Sequence, residues 1–234
     1  MPRRRTGTRT IAVVNGKGGS SKTPTTAMLA AVLAQRDQSS VLAWDNNEAR
    51  GTLGRRTEQA PHEANVRDLL PEVDRLTAKG ADPTEISRYV HPQQGDGYDV
   101  LQSDPAILPG SDRLTGDDFD AIHRLVTGRY RVVVVDSGNA VDAPNWLRML
   151  DSADQIVVPT TTRTEHAEAA RLLLSALHSR DARSAALADQ AVVIVSHAER
   201  DEAGPADVVG QYEWLARTAV TIPYDPAMRA DHLR

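Results

Sequence analysis

The stretch that most constrains this chain is Asn15-Gly16-Lys17-Gly18-Gly19-Ser20-Ser21-Lys22-Thr23, which follows the apolar run Ile11-Ala12-Val13-Val14 and precedes a helix-like run from Thr26 to Gln35. A strand, a glycine-rich turn and a helix in that order place backbone N–H groups, a lysine and a hydroxyl around one point. Those are the groups that a triphosphate and its Mg²⁺ require. Lysine usage strengthens the reading. Lys17, Lys22 and Lys79 are the only lysines in a combined Lys and Arg total of 27, so a chain that otherwise uses arginine keeps two lysines at this turn. A compact ammonium reaches between phosphate oxygens where a planar guanidinium is too large.

The remaining apolar runs set the architecture. Val41-Leu42-Ala43-Trp44 reads as a strand ending at Asp45-Asn46-Asn47-Glu48, and Tyr98-Asp99-Val100-Leu101 as another. Val132-Val133-Val134-Val135 is the strongest strand, its β-branched residues indicating burial on both faces, and it ends at Asp136-Ser137-Gly138-Asn139. Ile156-Val157-Val158, Val192-Val193-Ile194-Val195 and Val220-Thr221-Ile222 complete the set. Between them, Thr115 to Asp118 has the pattern of a capping box before Phe119, Ile122, Leu125 and Val126, and Thr162 to Glu165 has the same pattern before a helix from about Arg163 to Arg180. Val66 to Leu70 predicts one helical turn ending at Pro71, Asp82 to Glu85 the start of a short helix, and Ala206 to Ala216 a further helix. Strands alternating with helices imply right-handed crossovers, hence a three-layer α/β fold with a mostly parallel sheet flanked by helices. A basic disordered arm over 1–9 and one domain over 10–234 are expected.

Composition excludes several classes. At 234 residues and 40% hydrophobic content the chain suits one α/β domain, and its net charge of −5 argues against a nucleic-acid coat while leaving room for a local basic patch. With no cysteine there is no disulfide framework, thiolate metal site or cysteine nucleophile, which fits a reducing cytoplasm. No apolar stretch approaches the roughly 18 residues needed to cross a bilayer. The seven histidines show no His-Glu-x-x-His spacing, Ser137 lacks a nucleophile-elbow context, and Trp44, Trp146 and Trp214 are expected to pack rather than to stack bases.

Lys17-Gly18-Gly19-x-x-Lys22-Thr23 resembles the deviant Walker A motif of the ParA/MinD family of partitioning and positioning ATPases, and the resemblance covers most of the chain. It implies a P-loop ATPase that binds ATP with Mg²⁺ and forms an ATP-dependent homodimer, with Lys17 as the signature lysine contacting the partner's nucleotide. Gly16 to Pro24 would form the phosphate loop, with Gly18, Gly19, Ser20 and Ser21 at the turn and Lys22 on the β- and γ-phosphates. Thr23 would bind Mg²⁺, Asp136 would hold it as the Walker B residue, and Val41 to Gly54, including Asp45 and Asn47, would be the first switch. Val132 to Asn139 would be the Walker B stretch, with Ser137 and Gly138 as switch residues, and Ser196 with Pro223 and Asp225 would meet the base, the late base-binding loop covering Ile222 to Arg229.

Two residues depart from the family pattern. Ser21 stands where a glycine is usual, adding a side chain where backbone approaches phosphate. Asn47 falls on the second aspartate of the usual Asp-x-Asp. An amide holds water but cannot act as a carboxylate, so hydrolysis is expected to be slow, to recruit another residue such as Glu48, or to need a partner.

Gly16-x-Gly18-x-x-Ser21 with Asp45 partly imitates a dinucleotide-binding turn, yet Lys22-Thr23 and Asp136 have no role in such a site. The output has two readings: a dimerising ATPase that positions DNA or other cargo, or a nucleotide-binding regulatory switch acting through a protein contact. Arg3, Arg4, Arg5 and Arg9 could add an electrostatic arm for nonspecific DNA. The sequence reaches His232-Leu233-Arg234 with no amphipathic helix after the late loop, which favours DNA or a polar protein partner over a membrane.

Overall fold

A computed structural model describes residues 7–37, 39–47, 51–106, 113–197, 199 and 205–226. In chain order the first elements are β1 (Arg9–Val13), α1 (Lys22–Asp37), β2 (Val41–Asn46), α2 (Leu53–Arg56), α3 (Val66–Leu69) and α4 (Val73–Thr77). β3 (His91–Gln93), β4 (Tyr98–Leu101), α5 (Gly116–Thr127), β5 (Val132–Ser137) and α6 (Pro144–Ser152) follow. The remainder comprises β6 (Gln155–Thr161), α7 (Thr164–Arg180), α8 (Ala182–Asp189), β7 (Val192–Ser196), α9 (Pro205–Gly210) and β8 (Thr218–Ile222). The strands form one sheet in the order β3-β4-β2-β5-β1-β6-β7-β8, parallel except for the antiparallel pair β3 and β4. This is the three-layer α/β arrangement that the alternating runs imply.

Alternation along the strands divides the core into two layers. Ala12, Leu42, Trp44, Val133 and Val135 face one apolar cluster, closed mainly by α5, α6 and α7, whereas Val13, Val41, Ala43 and Val134 face the other, closed by α1. The valine run therefore lies at the centre of the sheet with Val133, Val134 and Val135 at 0% exposure. Trp44 stacks on Phe119 with ring centroids 4.7 Å apart, tying β2 to α5. The expected capping box of α5 is formed, with Thr115 and Asp118 exchanging side-chain-to-backbone hydrogen bonds.

Several local expectations are corrected. β1 starts at Arg9, inside the stretch expected as an arm, and its guanidinium pairs with Asp154 at 2.8 Å; Arg3, Arg4 and Arg5 lie outside the described residues. The helix after the glycine loop begins at Lys22, with Pro24 tolerated in a first turn that needs no N–H there. β3 escapes a hydrophobic pattern because it is three residues long and contains Pro92, which an edge strand accepts. Pro71 does not stop the chain after Leu70: it enters the first turn of a 3-10 segment, Leu70–Glu72, and α4 follows.

At α7 the Thr162 capping box is absent. Arg163 is the N-cap, and its guanidinium, which has no acceptor, makes no side-chain cap bond; the Arg163 N–H donates to Thr161 Oγ1. Asp181 then caps a separate α8 through the Ser184 N–H. The helix expected over 206–216 stops at Gly210, and the segment beyond it turns, leaving Trp214 at 90% exposure while Trp44 and Trp146 pack as expected. Glu48 and residues 227–234 lie outside the described residues.

Truncating Phe119 to alanine removes the stacking partner of Trp44 and should cost about 3–5 kcal/mol, whereas Thr115→Ala removes one cap and should cost about 1 kcal/mol. Urea denaturation measures both. A Phe119→Ala protein with the parent's midpoint would contradict the assigned core.

Candidate functional site

Strand register assembles the site. β1 lies between β5 and β6, pairing Val13 with Asp136, and β2 lies on the other side of β5, pairing Asp45 with Asp136 and Asn46 with Ser137. The glycine loop leaves β1, so the loop, Asp45 and Asp136 meet at the carboxyl edge of the sheet, where open α/β sheets place ligands. β2 and β5 each continue through their acidic residue, which puts Asp45 and Asp136 inside the sheet edge rather than on loops.

The loop is shaped by two left-handed residues, Gly19 at φ 81° and Ser21 at φ 69°. Ser21 is the one non-glycine residue with positive φ among the described residues. A Cβ in that region costs about 1–2 kcal/mol, so the backbone keeps the turn that a glycine would favour and carries strain at Ser21. Asn15 supports the turn from beneath, accepting from the Lys17 N–H at 2.9 Å and donating to the Pro159 carbonyl at 2.9 Å.

Lys22 is only 8% exposed. Its Nζ donates to Asn139 Oδ1 at 2.6 Å and to the Lys17 carbonyl at 3.1 Å. Burial lowers its pKa, opposed by the Asp136 charge. The Thr23 hydroxyl donates to Asp136 Oδ2 at 2.6 Å, and Thr52 Oγ1 lies 3.3 Å from Thr23 Oγ1. Asp136 is 3% exposed, and its Oδ1 has no hydrogen-bond partner. Burial, reinforced by the neighbouring Asp45 charge, pushes its pKa up to about 7, against the opposing Thr23 hydrogen bond and Lys22 charge. A divalent cation would reverse that balance by favouring the carboxylate.

Asp45 is also buried, with desolvation raising its pKa to about 6. It accepts from the Asn47 N–H at 3.1 Å, the Leu53 N–H at 3.2 Å and the Ser103 hydroxyl at 3.2 Å. It thereby pins both ends of the segment between β2 and α2. Gly51 is required by the same packing, since a Cβ there would overlap the Asp45 carboxylate and the Ser103 hydroxyl. So placed, Asp45 lies beneath the site and not where a dinucleotide ribose would need it.

Above these groups is a cleft of about 710 Å³. One end is lined by Gly18, Gly19, Ser21, Lys22, Thr23 and Pro24. The side nearest Thr23 includes Asn47, Thr52, Arg56 and Ser137, and the far end includes Ser196, His197, Pro223, Tyr224 and Asp225. Gly16, Lys17, Ser20 and Gly138 are outside this lining. Lys17 is exposed to solvent, Ser20 is buried, and Gly138 lies against Asn47, whose Oδ1 is 3.3 Å from where a Cβ on Gly138 would be.

Sequence reasoning covered Thr52 within the first switch and Asn139 within the Walker B stretch without giving either a role, and it missed Arg56, Thr161 and His166. His166 opens α7 beside the loop: its Nδ1 and Thr161 Oγ1 are 2.8 Å apart, and its ring is 3.5 Å from a Cβ placed on Gly19. Arg56, Thr161 and His166 belong to no local motif; topology brings them in. Among the described residues no group of three His, Cys, Asp or Glu could hold a metal alone. Thr23 and the unpartnered Asp136 oxygen fit Mg²⁺, which typically takes one or two protein ligands and completes its shell with water and substrate phosphates.

A glycine loop entering a helix at a lysine and a threonine, with an aspartate on the adjacent strand, defines a P-loop protein of the three-layer α/β class. The family model AAA_31, described as an AAA domain, matches residues 8–183; the chain belongs to this family, and it has the fold of the ParA/MinD P-loop ATPases. The ParA family ATPase from Chlorobium tepidum TLS superposes with a TM-score of 0.77 at 20% identity, covering 96% of this chain and 88% of that one. The septum site-determining protein MinD of Pyrococcus horikoshii OT3, complexed with Mg-ADP, gives 0.69 at 19% identity over 96% and 84%. The ESX-1 secretion-associated protein EspI of Mycobacterium tuberculosis is 26% identical over 225 residues, covering 92% of this chain. The chain spans 31% of the length of that relative.

Replacing Ser21 by glycine should relieve the positive-φ strain and stabilise the protein by about 0.5–1 kcal/mol, net of glycine's greater freedom when unfolded. Thermal unfolding checks this. A lower unfolding temperature for Ser21→Gly would contradict the strained turn.

Proposed function

We propose that the chain is a Mg²⁺-dependent, ATP-binding switch that dimerises on ATP and hydrolyses it slowly. The observation that carries the reading is the Thr23 hydroxyl on Asp136 at 2.6 Å beside a half-committed Lys22, all at the phosphate end of one cleft. Membership of AAA_31 and the Mg-ADP held by the MinD relative support it.

In this reading the loop Gly16–Ser21 and the first turn of α1 present N–H groups and a favourable dipole to the phosphates. Lys22 neutralises the outer phosphates. Thr23 would hold Mg²⁺ directly and Asp136 through water, and the ion would supply charge neutralisation on the β- and γ-phosphates. Ser196, Pro223 and Asp225 take the base, with adenine the expected one. Lys17, exposed on the loop, contacts the nucleotide of a second subunit in this reading. Asp45 fixes the Asn47 backbone, and the Asn47 amide orients water without taking its proton. Slow turnover follows from that missing carboxylate. Ser137, the strand partner of Asn46, and Gly138, which lies against Asn47, are switch residues.

The output is DNA or cargo positioning in the cytoplasm. Among the described residues no helix is long and apolar enough to cross a membrane. The alternative is a regulatory switch with little hydrolysis whose output is a protein contact. Asn47 and the secretion-associated name of the EspI relative favour it.

Steady-state phosphate release with MgATP, compared between the parent and Lys22→Ala, tests turnover, and protection against thermal unfolding tests binding. Saturation at about 100 times Kd should stabilise the parent by about 2.7 kcal/mol, with MgATP protecting and NAD(H) not. Measurable release that disappears in Lys22→Ala supports the ATPase; protection without release supports the regulatory switch. Equal phosphate release by both proteins would sink the ATPase claim. ATP-loaded protein that ignores random duplex DNA even at low salt would remove the DNA output.

A further inference from the structure

An ammonium has three N–H donors and no acceptor. Lys22 has committed two of them, one to the Lys17 carbonyl and one to Asn139 Oδ1. The Asn139 contact, at 2.6 Å, is the shorter and is charge-assisted. Lys17 offers a carbonyl of the phosphate loop itself, which cannot leave without unmaking the loop. Asn139 instead sits on the exposed segment after β5 and reaches a lysine that is nearly buried. The other half of its amide faces the same loop: Nδ2 is 3.5 Å from where a Cβ on Gly18 would stand.

One remaining donor cannot serve oxygens on two phosphates. Resting on the nucleotide reading of this cleft, we propose that Asn139 is an internal competitor for Lys22, a positioning residue that couples occupancy of the phosphate site to the segment following β5. A diphosphate or triphosphate draws Nζ away from Oδ1. The segment then loses its anchor on the cleft.

Contacts carry that change outward. Val141 packs against Gly16, 3.3 Å from where a Cβ there would be, and the Ala143 N–H donates to the Ala140 carbonyl at 3.1 Å as the chain enters α6. On α6 the buried Asn145 donates to the Asn46 carbonyl and to Asn46 Oδ1, both at 3.3 Å, and its own carbonyl accepts from Asn46 Nδ2 at 3.4 Å. Asn46 lies between Asp45 and Asn47 at the tip of β2. Releasing Asn139 therefore acts through α6 on the segment that positions Asn47.

Calorimetric titration with MgADP, on the parent, Asn139→Ala and Asn139→Asp, tests the competition. Removing the competitor should tighten MgADP binding roughly five- to tenfold. Asn139→Asp, which ties Lys22 to a carboxylate and sets a negative charge beside the phosphates, should weaken it by roughly tenfold or more. A merely structural Asn139 would give weaker binding and a lower unfolding temperature in both variants, so unfolding without nucleotide is measured alongside. If the parent binds MgADP and Asn139→Ala binds it equally or more weakly, the proposal is overturned. Asp and Ala variants with the same affinity overturn it too. A parent that matches Lys22→Ala in failing to bind MgADP overturns the nucleotide reading beneath it.

Discussion

The structure depends on β5 being buried on both faces. Only a strand enclosed by two apolar layers can carry Asp136 out of the core to a position where β1 delivers the glycine loop on one side and β2 delivers Asp45 on the other. The same burial makes the tip electrostatically demanding. Two carboxylates meet across adjacent strands with little water, and both have raised pKa values. Their partners are unequal. Asp45 is satisfied by two backbone N–H groups and a hydroxyl and so acts as a fixed peg between the end of β2 and the start of α2. Asp136 keeps one oxygen on Thr23 and one without a partner, which is the condition of a group prepared for a cation.

Around that centre the lysines take separate positions. Lys22 is folded inward and shared between the loop and Asn139, while Lys17 is exposed and contributes its backbone to holding Lys22. The phosphate loop is thus braced by its own lysine. The strained Ser21 and the amide of Asn47 both line the same cleft.

How much of this was legible in the sequence follows from how local each signal is. The glycine loop, the valine strand, Asp136 and the Thr115 cap are encoded in consecutive residues, and the structure places each where the pattern implies. β3 was invisible because three residues with a proline carry no period, and α8 because Asp181 interrupts an otherwise continuous helical pattern with a new cap. Trp214 was expected to pack, but α9 ends at Gly210 and the tryptophan lies beyond it at 90% exposure. Thr52, His166 and Asn139 reach the cleft from three different connections. Thr52 and Asn139 belong to stretches that the sequence marks, whereas His166 is brought in by the strand order alone.

The most direct test of the account is ATP binding with and without Mg²⁺, by calorimetry, on the parent and on Asp136→Asn, with folding checked by circular dichroism. An amide at 136 keeps the shape and the Thr23 contact but removes the charge that a cation needs. The account predicts that Mg²⁺ tightens ATP binding by the parent at least roughly tenfold and does so much less in Asp136→Asn. ATP affinity in the parent that is the same in Mg²⁺ and in EDTA would contradict it.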